Sequence, residues 1–415
     1  MTARNGEGQS SLGLDRSDAP IDHPLGVLVD ARCLEDTEMR GFARYTLEIL
    51  YALALRPTVQ LHALATRPLS FAVPCPVEVV AGKREIWTEQ VLWPCAARRL
   101  GADVMWCPAN RGLPLAVGCP TVLTLHDAVE WRQEFTQRAS LRQRCRFGYS
   151  SVVSLASATR VITVSHASAL SIETMLSVDS SRVRVIREAA SSRLHLDGQL
   201  DLEHATATLK RLNVTSRYFL FVGGFDAKKD VMTLVRARER LGEDAPPVVL
   251  VGSLSDDAKR VREIVDERCS PGAIRFVGEV SDADLAILYR KALCFVTAAR
   301  AEGFGLPVAE AMAAGLPVIA CRAAAIPETL GDAGMYFDPG DDRQLATLLR
   351  SMADDRLIRG RLRSAALTQS RRFSWSHAAE ETEAVLREAS EVRPWQERFE
   401  RVRRLRSWRQ WATPR

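Results

Sequence analysis

Along most of its 415 residues the chain alternates short apolar runs of strand character with segments of helical pattern. A strand that returns to its own sheet after a helix must lie parallel to its predecessor. This order therefore predicts open parallel sheets covered by helices on both faces. In the first half, Gly26–Asp30, Val59–Thr66, Val77–Val80, Val104–Cys107, Thr121–Leu125 and Val161–Val164 read as strands. Arg44–Leu55 and Glu89–Leu100 read as helices between them. A second series runs through Tyr218–Val222, Val248–Val251, Ile274–Val277, Leu293–Thr297 and Leu316–Ala320. Its helices are Asp230–Leu241, Asp257–Cys269, Asp282–Lys291 and Val308–Ala314. The polar stretch Ser191–Arg217 separates the two series and reads as a linker. The length suffices for two domains with separate cores. Open α/β sheets bind ligands beyond the carboxyl ends of their strands, so two such sheets would share one crevice.

The richest segment is Glu302-Gly-Phe-Gly-Leu-Pro-Val-Ala-Glu310-Ala-Met-Ala-Ala-Gly315-Leu-Pro317. Gly303 and Gly305 permit a tight turn and close approach by a ligand. Pro307 suits a helix start, and Gly315 with Pro317 ends that helix. A helix N-terminus attracts phosphate. The two carboxylates beside it call for a hydroxyl-rich partner, and together they outline a nucleotide-sugar site.

Composition excludes several classes. Apolar residues make up 47% and charged residues 26%, as in a soluble globular chain. The nine cysteines have neither Cys-x-x-Cys nor zinc-site spacing, which fits a reduced, cytoplasmic setting. Residues 1–20 lack the apolar core of a signal peptide and read as a disordered leader. Residues 391–415 hold eight arginines and three glutamates, a net +5 that equals the charge of the whole chain. The remaining residues balance to zero, which argues against nucleic acid as a partner. In that tail, Trp395, Phe399, Val402 and Leu405 form an apolar stripe among arginines. Such a helix either lies on an anionic membrane surface, at the inner face, or packs on the protein.

The Glu302/Glu310 spacing resembles the Glu-x7-Glu signature of family 4 retaining glycosyltransferases. Further elements resemble the family along most of the chain. They include Val-Leu-Val-Asp30 with the loop at Gly41, Thr121–Ala128 ending in His126-Asp127, Phe219–Asp230, and Phe373-Ser-Trp375. The resemblance implies the α/β GT-B fold, two Rossmann-like domains with parallel sheets facing an interdomain cleft. It implies an N-terminal acceptor-side domain at 21–200 and a nucleotide-sugar domain at 201–373. A helix at 374–390 would cross back to the N-terminal domain, followed by a basic tail at 391–415.

By the same resemblance, Glu302 faces the transferred sugar and Glu310 holds the ribose hydroxyls. Lys229 binds the donor diphosphate, and His126 lies near the sugar with Asp127 in support. The turn Gly303, Phe304, Gly305 and Leu306, with Gly224 and Gly41, approaches the donor. Gly224 stands where the family carries an arginine, which removes one cation from the diphosphate site. Arg44 and Tyr45 read as structural residues of the helix start, and Ser165 as an N-cap. Glu328 would cap its own helix or line the nucleotide site. The implied activity is retaining, metal-independent hexosyl transfer from a GDP- or UDP-linked donor, mannose favoured, with no cofactor. The acceptor is a glycan or lipid-linked sugar of surface polysaccharide assembly. The alternatives are a GT-B epimerase or hydrolase, and a non-catalytic nucleotide-sugar-binding scaffold.

Overall fold

The computed structural model describes residues 23–39, 41–80, 82, 84–110, 112–128, 141–194 and 201–409. The expected leader at 1–20 lies outside them, as do residues 410–415 of the tail.

Two all-parallel sheets form the frame. The first has seven strands in the order β3-β2-β1-β4-β5-β6-β7. These are β1 (Leu25–Asp30), β2 (Val59–Ala65), β3 (Val77–Val79), β4 (Val104–Cys107), β5 (Thr121–Thr124), β6 (Arg160–Thr163) and β7 (Val183–Val185). The second has six, ordered β10-β9-β8-β11-β12-β13. They are β8 (Phe219–Val222), β9 (Val248–Val251), β10 (Ile274–Gly278), β11 (Cys294–Thr297), β12 (Val318–Cys321) and β13 (Gly334–Phe337). Each sheet reverses strand order beside its first strand, at β1/β4 and at β8/β11. That reversal opens a crevice at the carboxyl ends of the strands.

Each sheet is sandwiched between two apolar clusters, one per face. The helix α1 (Gly41–Ala54) is buried around most of its girth, at Tyr45, Leu47, Ile49, Leu50 and Leu53 among others. A helix apolar on nearly all sides needs cover on all sides. The sheet gives one side. The other comes from the far end of the chain, where helix Trp375–Ser390 packs on α1 and its Ala378, Ala379, Val385, Leu386 and Ala389 join the same cluster. Polar contacts fix the register of this helix. Glu383 pairs with Arg56, and Arg387 donates to the Thr58 carbonyl at 2.6 Å. Glu388 takes Arg184 at 2.6 Å and Arg160 at 3.0 Å.

The structure refines the expected elements. A helix, Leu202–Arg211, lies inside the stretch read as linker, capped by Asp201. The helix expected over 89–100 is interrupted, with a π segment at Thr88–Leu92 before Trp93–Arg99. The helix expected from Asp230 begins at Val231, because Asp230 itself is left-handed with φ 42°.

Leu386 is fully buried at the seam between the returning helix and α1. Leu386→Ala should cost about 2–5 kcal/mol of stability, the range for emptying a buried leucine site. Chemical denaturation followed by tryptophan fluorescence measures it, and a loss under 1 kcal/mol would mean the seam is loose.

Candidate active site

After β11 the chain turns through Glu302–Gly305 into helix Leu306–Ala313. Gly305 has φ 93°, and a Cβ there would stand 2.8 Å from Ile326 Cδ1. A Cβ on Gly303 would lie 2.5 Å from the His126 carbonyl oxygen of the other sheet's loop. Only glycine lets the two loops meet at that point. Phe304 is buried edge-on against Phe373, and its carbonyl accepts from Thr329 Oγ1 at 2.6 Å. Pro307 sits in the first turn, and no side chain caps the helix from Leu306. This leaves the turn's N-terminal end as a positive, amide-lined lip.

Glu302 forms an ion pair with Lys229, and both side chains are largely buried. Lys229 ends the short 3-10 turn Ala227–Lys229, which is capped by Asp226. The Asp226 carboxylate also borders Gly224, 3.0 Å from where a Cβ would stand. A carboxylate therefore neighbours the position at which the family carries a cation. Gly41 opens α1, and a Cβ on it would meet nothing within 4 Å.

On the opposite wall, His126 is buried. Its Nε2 lies 2.9 Å from the Pro108 carbonyl, which only accepts, so Nε2 carries a proton. Its Nδ1 lies 3.0 Å from Glu188 Oε1, and its backbone N–H donates to Asn110 Oδ1 at 2.9 Å. Tyr45 meets the imidazole edge-on at 4.6 Å. With both ring nitrogens engaged by the protein, a substrate bond to this ring requires one to be given up. Asp127 lines a small cleft with Ser168, Ser171, Arg300, Glu302 and Ala324. Its volume is about 100 Å³, against roughly 300–1,000 Å³ for ordinary small-molecule pockets. The two walls are closed on each other.

Glu310 is 3% exposed. It faces back from Leu306–Ala313 toward helix Asp282–Lys291 and α1. Tyr289 donates to its Oε2 at 2.9 Å, while Oε1 is buried without a hydrogen bond among the described residues. Burial raises its pKa from 4.5 to about 7; Asp282 and Glu48 add to the rise, and Arg44 and Tyr289 oppose it. Arg44, read as structural, crosses between the sheets. Its Nη1 donates to Ser191 Oγ at 3.0 Å and its Nη2 to Asp282 Oδ1 at 2.9 Å. Its Nε stands 3.9 Å from Glu310 Oε1.

Glu328 caps a helix other than its own. Its carboxylate accepts from the His166 and Ala167 amides at 2.9 and 2.6 Å, capping helix His166–Leu176 of the other half. Ser165 caps the same helix, accepting from the Ser168 amide at 3.0 Å. Sequence reading did not bring Glu188, Tyr289 or Asp282 to the site, and the partners of Glu188 and Asp282 lie 62 and 238 residues away along the chain.

The tail helix Pro394–Arg409 packs on helix Leu141–Ser157. Arg401 is buried, donating to Thr121 Oγ1 at 3.1 Å and pairing with Glu397, while Arg404 donates to the Ala158 carbonyl at 2.8 Å. These two arginines face the protein, and Phe399 and Val402 face outward. The side chains of Trp395, Arg398, Leu405, Arg406, Trp408 and Arg409 lie outside the described set.

Residues 209–369 match the model of the family Glycosyl transferases group 1. The chain has the GT-B fold, and its residues 209–369 are similar to that family. The O-antigen chain mannosyltransferase B of Escherichia coli is 32% identical over 169 residues, 40% of this chain and 44% of that protein. The O-antigen chain mannosyltransferase RfbU of Salmonella typhimurium is 24% identical over 254 residues, 61% of this chain and 66% of that protein. The matches thus span less than two thirds of these relatives. Among solved structures, Anabaena Alr3699/HepE in complex with UDP and glucose superposes with a TM-score of 0.70 at 18% identity, covering 88% of this chain and all of that one. WaaG, a glycosyltransferase involved in lipopolysaccharide biosynthesis, gives 0.69 at 15% identity, covering 87% of this chain and 99% of that one.

A carboxyl whose pKa is raised by folding binds its proton more tightly in the folded state. Wild type should therefore lose stability relative to Glu310→Gln as pH rises from about 4.5 to 7, and the difference should level off above. Urea titrations of both proteins at pH 5 and pH 8 test the sign. A wild-type stability, relative to Glu310→Gln, that stays constant or rises with pH would contradict it.

Proposed function

We propose that the chain is a retaining glycosyltransferase that moves a hexose, mannose favoured, from a nucleotide-diphosphate sugar to a glycan or lipid-linked acceptor. The observation that carries this reading is the meeting of Glu302 and Lys229 beside the uncapped helix at Leu306, across a closed cleft from the His126 loop. Similarity to the O-antigen mannosyltransferases supports mannose and surface polysaccharide assembly, and the UDP-bound neighbour supports a nucleotide donor.

In this proposal the diphosphate lies over the amides of Gly305 and Leu306, with Gly41 approaching from the other wall. Lys229 leaves Glu302 for the leaving phosphate, whose negative charge grows as the bond from sugar C1 to the phosphate oxygen breaks. Glu302, released, meets the sugar hydroxyls. The acceptor oxygen bonds to C1 on the face the nucleotide leaves, and its proton passes to the departing phosphate. His126 positions the strand end that abuts Gly303. Glu310 accepts from the ribose. Opening admits the donor, and closure excludes the water that would hydrolyse it. Charge neutralisation rests on Lys229 and backbone amides, so the proposed reaction runs without a metal ion.

One observation favours a second reading, a non-catalytic nucleotide-sugar-binding scaffold: at Gly224 the neighbouring group is the Asp226 carboxylate, not a cation.

Thermal-shift screening of GDP-, UDP-, ADP- and TDP-sugars should identify the donor, and transfer to glycan acceptors should then be measurable. Lys229→Ala should raise donor KM and lower kcat by about 10²–10³-fold, the scale for losing one oxyanion donor. Glu302→Ala should lower kcat while nucleoside diphosphate affinity changes little. Activity should persist in EDTA; loss in EDTA with rescue by Mg²⁺ overturns the metal-free mechanism. Donor binding without turnover on any acceptor would favour the scaffold.

An anionic membrane surface is proposed as a partner of the tail's outward face, at Phe399, Val402 and Arg403. Phe399→Asp with Val402→Asp should reduce sedimentation with anionic liposomes and leave donor binding intact. Equal sedimentation of both forms would assign the tail to packing alone.

A further inference from the structure

Arg44 and Glu310 come from opposite halves of the molecule and stop just short of each other. Arg44 Nε and Glu310 Oε1 are 3.9 Å apart, beyond hydrogen-bond reach, and Oε1 has no partner among the described residues. Neither group is free to turn toward the other. The Arg44 guanidinium is pinned at its two outer nitrogens by Ser191 and Asp282. The Glu310 carboxyl is pinned at Oε2 by Tyr289. Ser191 is in turn fixed by Glu48, which accepts from its Oγ at 2.5 Å. The Nε–H of Arg44 and Oε1 of Glu310 are left 3.9 Å apart with no hydrogen bond between them.

A hydroxyl group completes such a pair, since it accepts one hydrogen bond and donates another. We propose that Arg44 is a ribose-positioning residue: one hydroxyl of the donor's ribose accepts from Arg44 Nε–H and donates to Glu310 Oε1, bridging the two halves. This rests on the nucleotide-sugar reading above and adds to it a contact from the N-terminal half. Because Arg44 also holds Ser191, on the segment leading out of the first sheet, occupation of the bridge is linked to how the halves sit. The groups facing Glu310 are Arg44 and Glu48 from α1 and Tyr289 and Asp282 from the helix Asp282–Lys291. Among them only Arg44 is a cation, and it favours the ionised carboxylate that the bridge needs.

The test is calorimetric titration of the full chain at pH 6–8. The probes are whichever of GDP, UDP or ADP wild type binds most tightly, its 2′-deoxy and 3′-deoxy forms, and inorganic pyrophosphate, which has no ribose. Wild type should bind one deoxy form at least tenfold more weakly than the ribonucleotide. Arg44→Gln should lose about tenfold in ribonucleotide affinity, leave that deoxy form and pyrophosphate unchanged, and move the pH midpoint of binding upward. Arg44→Lys keeps the charge and loses the fork, so affinity should fall with the midpoint near that of wild type. Arg44→Gln binding the ribonucleotide like wild type, or losing ribose and deoxyribose forms alike, overturns the bridge. If Arg44→Gln does not fold, wild type still decides: equal affinity for the ribonucleotide and both deoxy forms overturns it. Wild type that binds no nucleoside diphosphate overturns the glycosyltransferase reading and the bridge with it.

Discussion

A single methyl group would hold the two halves of this molecule apart. At Gly303 the backbone of the second half reaches the His126 carbonyl of the first so closely that a Cβ has no room. Two other contacts across the cleft depend on the same approach. Ser168 Oγ donates to the Gly303 carbonyl at 3.2 Å, and Glu328 caps the helix that carries Ser168. Closure here is a backbone-to-backbone fit, sharply sensitive to distance, in contrast to the gradual attraction of two apolar faces. It also explains why the His126 ring is so thoroughly held. Glu188, Pro108 and Asn110 fix the strand end whose carbonyl defines the contact surface.

The polar groups at the cleft divide into two settings. Glu302 and Lys229 satisfy each other near the lip. Glu310 lies deeper, with one oxygen satisfied and one not. A buried acceptor without a partner is costly, and native structures keep few of them. In the proposed bridge the ribose hydroxyl supplies the missing partner.

Much of the frame was legible in the sequence. β4, β5, β11 and β12 are buried at every residue. Central parallel strands covered on both faces appear as unbroken apolar runs. The edge strands β7 and β13 were not legible, because they are short and only partly covered. Helix Leu202–Arg211 was read as linker for a similar reason: it buries only Ala205, Thr208 and Leu209 along a polar segment. The Glu302–Leu306 turn was readable because its glycines and proline act locally. Arg44, Glu188 and Glu328 were not, since the spacing between partners exceeds anything periodicity reports. Arg44 and Asp282, for example, are 238 residues apart in sequence.

The return of the final long helix to the first sheet means that the chain passes between the halves twice. The two passages are tied to each other, since Trp375 Nε1 donates to the Ala190 carbonyl at 2.9 Å, one residue before the serine that Arg44 grips. Two linked pins leave a pair of bodies one easy rotation, about the line joining them, and suppress twisting and sliding. A cut in the first passage would leave the halves joined through the buried seam against α1, and a cut in the second would leave them joined by the first passage.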